Sequence, residues 1–344
     1  TGMNNIYKNY FRNKKVLIFG GTGSFGSAFL RRAINLDFKE IKIFSRDEKK
    51  QHDLRLQHSN KKIKFLIGDI RDKESVNDAC KNVDFVFHAA ALKQVPSCEF
   101  YPLEAVKTNI IGTNNILEGC FDNNVKKIVC LSTDKAVYPI NAMGMSKALM
   151  EKIAISKSKN LNKNQTQVTV TRYGNVLFSR GSILPLMINK IYKNEAITIT
   201  DFNMTRFLMT LDSAIDLVLF ALKFGKNGQI IIPETYATTI KTLSDAVLKI
   251  FKKNNYPIKI IGTRHGEKKH ETLMSREESF FSKKNKNFFI IDSDTRELNY
   301  DLYFQKGKKL KQSHSDYTSE NTKQLNVKET IKIINPLIKK NYID

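Results

Sequence analysis

Two short stretches in the middle of the chain carry the side chains best suited to chemistry. Asp134 and Lys135 place a carboxylate beside an amine, directly after the apolar run Lys127–Leu131. Met143 and Lys147 stand four positions apart and therefore share one face of a predicted helix. A carboxylic acid and an amine can move protons to and from a substrate, whereas the thioether of Met143 cannot. The pattern indicates an acid–base centre at the end of a strand.

The apolar pattern predicts the elements that would position this centre. The runs of β type are Val16–Phe19, Ile41–Phe44, Ile63–Ile67, Asp84–His88, Lys127–Leu131 and Val168–Arg172. The helical patterns between them are Phe25–Ile34, a span around Leu103–Phe121 and about Met143–Lys157. This alternation is typical of an α/β fold with a Rossmann-type doubly wound parallel sheet, in which the C-terminal ends of the strands face a ligand crevice.

Beyond about Asn175 the alternation becomes less regular. The further segments are helices at Ser182–Tyr192 and Asp212–Phe224, with Asp212 as the cap, strands at Ile197–Thr200 and Ile230–Ile232, and apolar patterns at Leu243–Phe251 and Ile258–Ile261. From about Ser275 the chain is polar, lysine-rich and aromatic. We expect an expression-tag remnant at 1–2, a dinucleotide-binding domain over 3–175, a smaller interleaved α/β substrate region over 176–275, and a tail over 276–344 that wraps the body or contacts another subunit.

A glycine-rich loop directly follows the first predicted strand and opens the first helix. Gly20, Gly23 and Gly26 have the spacing G-x-x-G-x-x-G, which allows a tight turn, close approach of a pyrophosphate and close helix packing. Unpaired N–H groups at the helix N-terminus favour negative charge. The sequence therefore predicts a dinucleotide site whose loop residues are Gly20, Thr22, Gly23, Ser24, Phe25 and Gly26.

The end of the second predicted strand bears on the choice of cofactor. Arg46 offers a guanidinium for a 2′-phosphate and Ser45 a hydroxyl, so we expect NADP. Asp47 could instead bind a ribose hydroxyl and keeps NAD open. The other residues expected to bind the cofactor are Asp69, Ile70, Ala89, Ala90, Ala91, Lys93, Asn109, Lys147 and Tyr173.

Composition argues against several other classes of protein. The 344 residues contain no apolar run of about 18 residues that would span a membrane, and the start shows no apolar signal segment. Four cysteines without Cys-x-x-Cys spacing suggest reduced thiols in the cytoplasm and no metal site. The net charge of +23 is spread over a Lys- and Asn-rich chain, so we expect no nucleic-acid partner; the positive field would help to collect a diphosphate substrate.

Taken together, these motifs resemble the extended branch of the short-chain dehydrogenase/reductase family, and within it the inverting UDP-N-acetylglucosamine 4,6-dehydratases of capsule biosynthesis. The segments that carry the resemblance are Gly20–Gly26, Ser45–Glu48, His88–Lys93, Ser132–Ala136, Asn141–Lys147, Arg172–Val176, Met204–Phe207 and Thr263–Lys268. They extend over nearly the whole chain. Lys135 stands where dehydratases that retain the C5 configuration carry glutamate, and Met143 stands where most members carry the tyrosine of a Tyr-x-x-x-Lys pair.

The resemblance implies a reaction in three stages. Hydride leaves C4 of the sugar for NADP⁺, water is eliminated across C5 and C6, and hydride returns to C6 while C5 is protonated from the opposite face. The cofactor is tightly bound and regenerated. Asp134 would protonate the departing C6 hydroxyl. Lys135 would act at C5, provided that neighbours depress its pKa toward neutrality. The product would be UDP-2-acetamido-2,6-dideoxy-β-L-arabino-hex-4-ulose for a surface glycan.

The methionine leaves the first stage without its usual base. Removing hydride from C4 requires a group that takes the proton of the C4 hydroxyl, and Met143 cannot serve. Our hypothesis is that Lys147, or a water held by Lys147 and Thr133, takes this proton. Tyr138 is a second candidate.

The resemblance also implies the partners. The substrate would be UDP-N-acetylglucosamine, and the protein would form a homo-oligomer, from dimer to hexamer. Arginine forks suit phosphate oxygens. The residues expected to contact the substrate are Lys93, Asn175, Arg180, Arg206, Arg264 and Glu267.

Two other functions remain open from the sequence. A UDP-sugar 4-epimerase or multi-step epimerase on the same fold would need the C4 hydride step but not the chemistry of Asp134 and Lys135. A catalytically idle nucleotide-binding regulator would explain Met143, although it would not require Asp134, Lys135 and Lys147. The fold alone does not decide between them.

Overall fold

A nine-stranded sheet forms the centre of the computed structural model, which describes residues 2–159, 166–179, 181–293 and 314–343. The strands are β1 (Lys15–Phe19), β2 (Glu40–Ser45), β3 (Ile63–Ile67), β4 (Phe85–His88), β5 (Lys127–Thr133), β6 (Gln167–Tyr173), β7 (Asn175–Val176), β8 (Ile197–Ile199), β9 (Thr205–Met209), β10 (Gln229–Pro233), β11 (Ala237–Thr239), β12 (Ile258–Ile260), β13 (Thr272–Met274), β14 (Ser282–Asn285), β15 (Phe288–Ile291) and β16 (Tyr317–Thr318).

Helices cover both faces of this sheet. They are α1 (Gly2–Phe11), α2 (Ser24–Ala33), α3 (Glu48–Gln57), α4 (Lys73–Ala79), α5 (Val95–Phe100), α6 (Pro102–Ala105), α7 (Thr113–Asp122), α8 (Ala142–Ser158), α9 (Ile183–Tyr192), α10 (Leu211–Phe224), α11 (Ile240–Ile250), α12 (Arg276–Ser279) and α13 (Val327–Ile338). Shorter helical segments are π-helical Val106–Gly112 and Lys339–Ile343 and the 3₁₀ turn Asp134–Ala136. None of the helices within the described ranges is both long and apolar enough to cross a membrane.

The strand order is β3-β2-β1-β4-β5-β6-β10-β15-β14. All pairs from β3 to β10 are parallel, and β15 and β14 continue the sheet as an antiparallel hairpin. The order reverses between β1 and β4, which opens a crevice at the C-terminal ends of the strands. The predicted Rossmann-type doubly wound sheet is confirmed.

Two apolar clusters, one on each face, explain why the strands are almost continuously hydrophobic. One face packs against α1, α2 and α10, with Phe11 and Phe29 fully buried. The other packs against α4, α7 and α8, with Ile116 and Met150 fully buried. Strands covered on both sides have no solvent face and therefore show no alternation of polar residues.

A smaller region is built around a third cluster, which joins α9, α11, α13, β8 and β12. It carries the short sheets β11-β9-β7, β12-β8 and β13-β16. β10 lies within the range expected for the substrate region, yet it pairs with β6 of the central sheet. The two regions are thus interleaved along the chain.

Several details differ from the sequence-based expectations. The expected cap Asp212 is wrong: α10 begins at Leu211, and the Thr210 side chain accepts from the Ser213 N–H at 3.1 Å. The helix expected around 103–121 is interrupted by the π-helical segment. Helix α1 and the β14–β15 hairpin were not predicted. A hairpin that extends a sheet at its edge needs no strong apolar period of its own.

A buried ion network ties the sheet to α8 and α12. The Arg172 guanidinium donates to Glu151 at 2.9 Å and to Glu278 at 2.6 Å, and the Ser132 hydroxyl donates to Glu151 at 2.9 Å. Arg172 and Glu151 are buried. Removing one partner of such a pair leaves an uncompensated charge in the interior. The network therefore fixes α8, which carries Lys147, against β5 and β6.

Replacing Arg172 with methionine should lower the free energy of unfolding by about 3–5 kcal/mol, because Glu151 would lose its charged partner. Chemical denaturation measures this change. Arg32→Met is the matched control, since its 2.8 Å pair with Asp216 is more exposed and should contribute about 0–1 kcal/mol. Equal losses in the two variants would contradict a stabilising role for the network.

Candidate active site

The glycine loop forms a cradle at the end of β1. Gly20 has φ +74°, and a Cβ there would lie 2.7 Å from the backbone nitrogen of Ala90. A Cβ on Gly26 would collide with the carbonyl oxygen of Gly20. Gly23 is the N-cap of α2 and offers no side chain to the first N–H groups of the helix. Open donors and space without side chains suit a pyrophosphate. Of the other residues predicted to bind the cofactor here, Thr22 lies in this loop, and Ser24 and Phe25 are the first two residues of α2.

The three side chains at the C-terminal end of β2 make different contacts. The Asp47 carboxylate accepts from the Lys50 N–H at 2.9 Å and caps α3, and this bond lowers the pKa of Asp47. The Ser45 hydroxyl accepts from Thr22 at 3.1 Å. The Arg46 side chain is 59 % exposed and lies 3.7 Å from a carboxylate oxygen of Asp69. The Arg46 side chain is therefore more available to a ligand than the Asp47 carboxylate.

Asp69 and Ile70, expected at the adenine, lie after β3. The Asp69 carboxylate is held by the Arg71 guanidinium at 2.8 Å. Ile70 is buried, and a Cβ on Gly112 would lie 2.6 Å from its Cδ1. The Asn115 amide donates to the Ile70 carbonyl at 3.0 Å. These contacts position Asp69 and Ile70 at the end of β3.

The loop after β4 is anchored by Asn109. The Asn109 side chain accepts from the Leu92 N–H at 2.8 Å and donates to the Leu92 carbonyl and the Ser146 hydroxyl, both at 2.9 Å. It therefore holds the loop, in which Ala89, Ala90 and Ala91 are half-buried and Lys93 is exposed, against α8. Tyr173 is buried, and its hydroxyl donates to the Ala214 carbonyl at 3.0 Å.

Lys147 is buried on α8 beside the end of β5. Its amine donates to the Leu131 carbonyl at 2.7 Å, and the residue is only 6 % exposed. Burial lowers the pKa of Lys147 to about 8, with a further lowering by Lys93; Cys130 and Glu151 act in the opposite direction. A lysine with this pKa can exchange a proton near neutral pH.

Met143 lies one turn before Lys147 in a small apolar cluster. Its partners are Cys98 and Ala105, with Leu92 packed against them. Asn141 caps the same helix by accepting from the Gly144 N–H at 2.8 Å. The thioether fills space and supplies no proton.

Asp134 is fully buried at the end of β5. One carboxylate oxygen accepts from the Thr133 hydroxyl at 3.2 Å and from the Lys135 amine at 3.3 Å, and the other has no hydrogen-bond partner. Burial raises the pKa of Asp134 to about 6; Glu271 raises it further, and Lys135 and Arg206 oppose the rise. Such a carboxyl group can carry a proton near neutral pH and deliver it to a leaving group.

The expectation that neighbours depress the pKa of Lys135 is wrong. Its amine lies 3.3 Å from Asp134 and 3.6 Å from Glu271. Burial alone would lower the pKa of Lys135, but these two carboxylates outweigh burial and raise it. Lys135 is therefore an ammonium in direct contact with a carboxyl group that can take its proton.

Tyr138 does not have the properties of a base. Its hydroxyl donates to Asp316 at 2.9 Å and to Glu277 at 3.2 Å. Desolvation and these two carboxylates raise the pKa of Tyr138 to about 12. The phenol keeps its proton, so this candidate for the C4 hydroxyl is not supported.

The residues expected at the substrate are only partly available. The Arg206 guanidinium is buried and donates to the carbonyls of Thr205 and Lys268, both at 2.7 Å. Glu267 accepts from the Arg264 N–H at 3.2 Å, and the Arg264 side chain is exposed. Asn175 keeps a buried amide oxygen without a partner. Arg180 lies outside the described residues.

Sequence reasoning missed two charged groups of this site. Glu271 is buried beside Lys135, and the Lys268 amine donates to the Val137 carbonyl at 2.7 Å. Both come from the segment after β12, far along the chain from Asp134. The one local signal is the motif Thr263–Lys268, which ends at Lys268 and which Glu271 follows three residues later. In the described parts of the chain, no group of three or more His, Cys, Asp or Glu residues could hold a metal ion.

The chain is similar to proteins that are named as nucleotide-sugar enzymes. A protein of Rickettsia bellii named UDP-glucose 4-epimerase is 53% identical over 328 residues, which cover 94% of this chain and 96% of that protein. The structure of Pen from Bacillus thuringiensis is 36% identical, with a TM-score of 0.87 over 95% of this chain and 99% of that one.

A more distant structure shares the fold. DesIV from Streptomyces venezuelae, a dTDP-glucose 4,6-dehydratase solved with NAD bound, has a TM-score of 0.70 at 16% identity, covering 95% of this chain and 97% of its own. Two family models match adjoining parts of the chain, the polysaccharide biosynthesis protein model over residues 16–293 and the polysaccharide biosynthesis protein C-terminal model over 294–339. The chain therefore belongs to the polysaccharide biosynthesis protein family.

Proposed function

We propose that this protein is a UDP-N-acetylglucosamine 4,6-dehydratase that inverts C5 and yields UDP-2-acetamido-2,6-dideoxy-β-L-arabino-hex-4-ulose for a surface glycan. The observation that carries the proposal is the pair formed by buried Asp134 and half-buried Lys135, whose charged atoms are 3.3 Å apart at the C-terminal edge of the sheet. A sugar-nucleotide enzyme that only oxidises and reduces C4 needs no such pair. The family, and the nucleotide-sugar name of its relatives, support the substrate class.

The crevice suits a nicotinamide dinucleotide. The cradle at Gly20 and Gly26 would receive its pyrophosphate at the N-terminus of α2. We favour NADP over NAD, because Arg46 is open whereas the Asp47 carboxylate is used to cap α3. When bound, the cofactor supplies the hydride acceptor for C4 and the hydride donor for C6.

Lys147 takes the proton of the C4 hydroxyl in this proposal. Its pKa of about 8 leaves a usable fraction of neutral amine near pH 7, and its bond to the Leu131 carbonyl fixes the position of the amine. Thr133 is the second group that could hold a water in this place. Met143 packs in an apolar cluster with Cys98 and Ala105, so no phenol lies at the position one turn before Lys147.

Elimination uses Asp134 and Lys135 as one unit. Transfer of a proton from the Lys135 ammonium to Asp134 gives a neutral amine beside a carboxylic acid. The amine then takes the C5 proton while the acid protonates the departing C6 hydroxyl, so the C5–H and C6–O bonds break, the C5–C6 double bond forms and water leaves. The pair ends as ammonium and carboxylate, so its protons balance.

The proposal includes a cytoplasmic homo-oligomer. The four cysteines of the chain are buried free thiols, which suits a reducing compartment. Apolar side chains stand exposed on α8 and on the segments that pack against it, with Phe100 81 % exposed. Large apolar side chains exposed in this way are typical of a subunit contact. The others in this region are Tyr101, Leu103, Ile111, Met145 and Leu149.

A UDP-sugar 4-epimerase is the second candidate, because the relative at 53% identity carries that name. Proton NMR of the reaction with UDP-N-acetylglucosamine in deuterated water separates the two. We expect a C6 methyl group, deuterium at C5 and inverted C5. A 4-epimer without deuterium at C5 would contradict the dehydratase, and binding without conversion would favour an idle regulator.

Replacing Arg46 with alanine should weaken NADP binding about 10- to 100-fold and leave NAD binding nearly unchanged, because one charge-assisted contact to the 2′-phosphate is lost. Calorimetric titration measures both affinities. Arg55→Ala removes the same charge from the exposed surface of α3 and should change neither affinity. Equal weakening for NAD and NADP would contradict the assignment of Arg46.

Replacing Lys147 with alanine should lower turnover about 10²- to 10⁴-fold, because the C4 hydroxyl would lose its base. Turnover is followed by product formation from UDP-N-acetylglucosamine. Lys152→Ala, on an exposed position of the same helix, is the matched control and should keep wild-type turnover. Lys147→Arg keeps the charge but cannot become neutral, so recovery of activity in it would contradict the role of base.

The pH dependence follows from the pKa of Lys147. A lysine that acts as a base must be neutral, so single-turnover C4 oxidation should increase as the pH rises, with a midpoint of about 8. A rate that is independent of pH between 6 and 9 (roughly the range of the expected transition) would show that another group takes the proton.

A further inference from the structure

Glu271 is a buried carboxylate beside the reaction centre with no part in the steps above. The residue is 2 % exposed. One of its carboxylate oxygens lies 3.6 Å from the Lys135 amine, and the other has no hydrogen-bond partner. Burying a charged oxygen without a partner costs free energy, and proteins retain such groups mainly at functional sites.

The backbone around Glu271 is clamped. Its N–H donates to the Ser319 hydroxyl at 2.9 Å, and its carbonyl accepts from the Ser319 N–H at 2.8 Å. The buried Ser319 hydroxyl is in turn 2.7 Å from that of Thr205 on β9. Glu271 thus enters the site from the smaller region on a fixed support, and the C-terminal segment that carries Ser319 provides this support.

Glu271 changes the charge balance of the site. The Lys135 amine lies between the carboxylates of Asp134 and Glu271, and the other charged groups facing them are Arg206 and Lys268. Glu271 raises the pKa of Asp134 and, with Asp134, raises that of Lys135. Both effects retain protons on the pair that the elimination uses.

We propose that Glu271 is a positioning residue of the elimination step, which holds the Lys135 amine against Asp134 and keeps a proton on this pair for the departing C6 hydroxyl. The inference rests on the proposed dehydratase function. Glu271 forms no bond to the sugar in this account. Asp134 gives its proton to the hydroxyl and Lys135 takes the one from C5, and Glu271 transfers no proton.

Glu271→Gln keeps the size of the side chain and removes its charge. We expect the limb at which elimination declines with rising pH to move to lower pH, because the Asp134–Lys135 pair loses its shared proton more readily. Turnover on that limb should then fall about three- to tenfold with an unchanged KM. Glu320→Gln makes the same charge change at an exposed neighbour of Ser319 and should leave both the limb and KM unaltered.

A second readout needs no activity. In protein labelled with ¹³C at the lysine ε-carbons, the titration midpoint of Lys135 should be lower in Glu271→Gln than in the wild type. An unchanged midpoint together with an unchanged pH profile would overturn the inference. If the glutamine variant fails to fold, Glu271→Asp replaces it in both measurements. This change withdraws the carboxylate by one methylene and should shift the pH profile and the Lys135 midpoint in the same direction as glutamine. The absence of both shifts would overturn the inference.

The two proposals fail in different ways. Wild-type protein that forms no 4-keto-6-deoxy sugar would overturn the dehydratase function, whatever the titration of Lys135 shows. A wild-type dehydratase whose pH profile and Lys135 titration are indifferent to Glu271→Gln would retain the function and lose the positioning role.

Discussion

The burial of charged side chains at the C-terminal edge of a parallel sheet is the constraint on which the rest of the structure depends. Lys147, Asp134 and Lys135 all lie where β5 ends; Lys147 and Asp134 are buried and Lys135 is half-buried. Low solvation moves the pKa of Lys147 down to about 8 and that of Asp134 up to about 6. Two groups that are permanently charged in water thereby become able to exchange protons near pH 7. Their positions are maintained by the Arg172 network beneath α8.

Met143 acquires a consistent interpretation in this setting. Taken alone, a methionine in the place of a catalytic tyrosine suggests an inactive protein. In the structure it packs into an apolar cluster beside a lysine whose pKa is already low. A tyrosine at this position could take up the proton of the C4 hydroxyl in place of the lysine. The thioether cannot, so Lys147 is the group that takes it. The acid–base work assigned here to Lys147 therefore requires no phenol, and Tyr138 does not replace it.

The parts that follow from local sequence were predictable, and those that depend on distant contacts were not. The glycine loop, the strands of the sheet and the Asp134–Lys135 pair each follow from a few neighbouring residues with a physical requirement of their own. The raised pKa of Lys135 depends on Asp134 beside it and also on Glu271, which is distant along the chain. The hydrogen bond from the Arg206 guanidinium to the Lys268 carbonyl likewise joins segments that are distant along the chain. No local pattern encodes such pairings.

The most direct test of the central claim is the titration of Lys147 itself. In protein labelled with ¹³C at the lysine ε-carbons, the resonance absent from Lys147→Arg identifies this residue. Its chemical shift should change with a midpoint at about pH 8. A midpoint at the ordinary value of 10.5 would mean that the lysine stays charged throughout the physiological range, and would contradict its role as the base for the C4 hydroxyl.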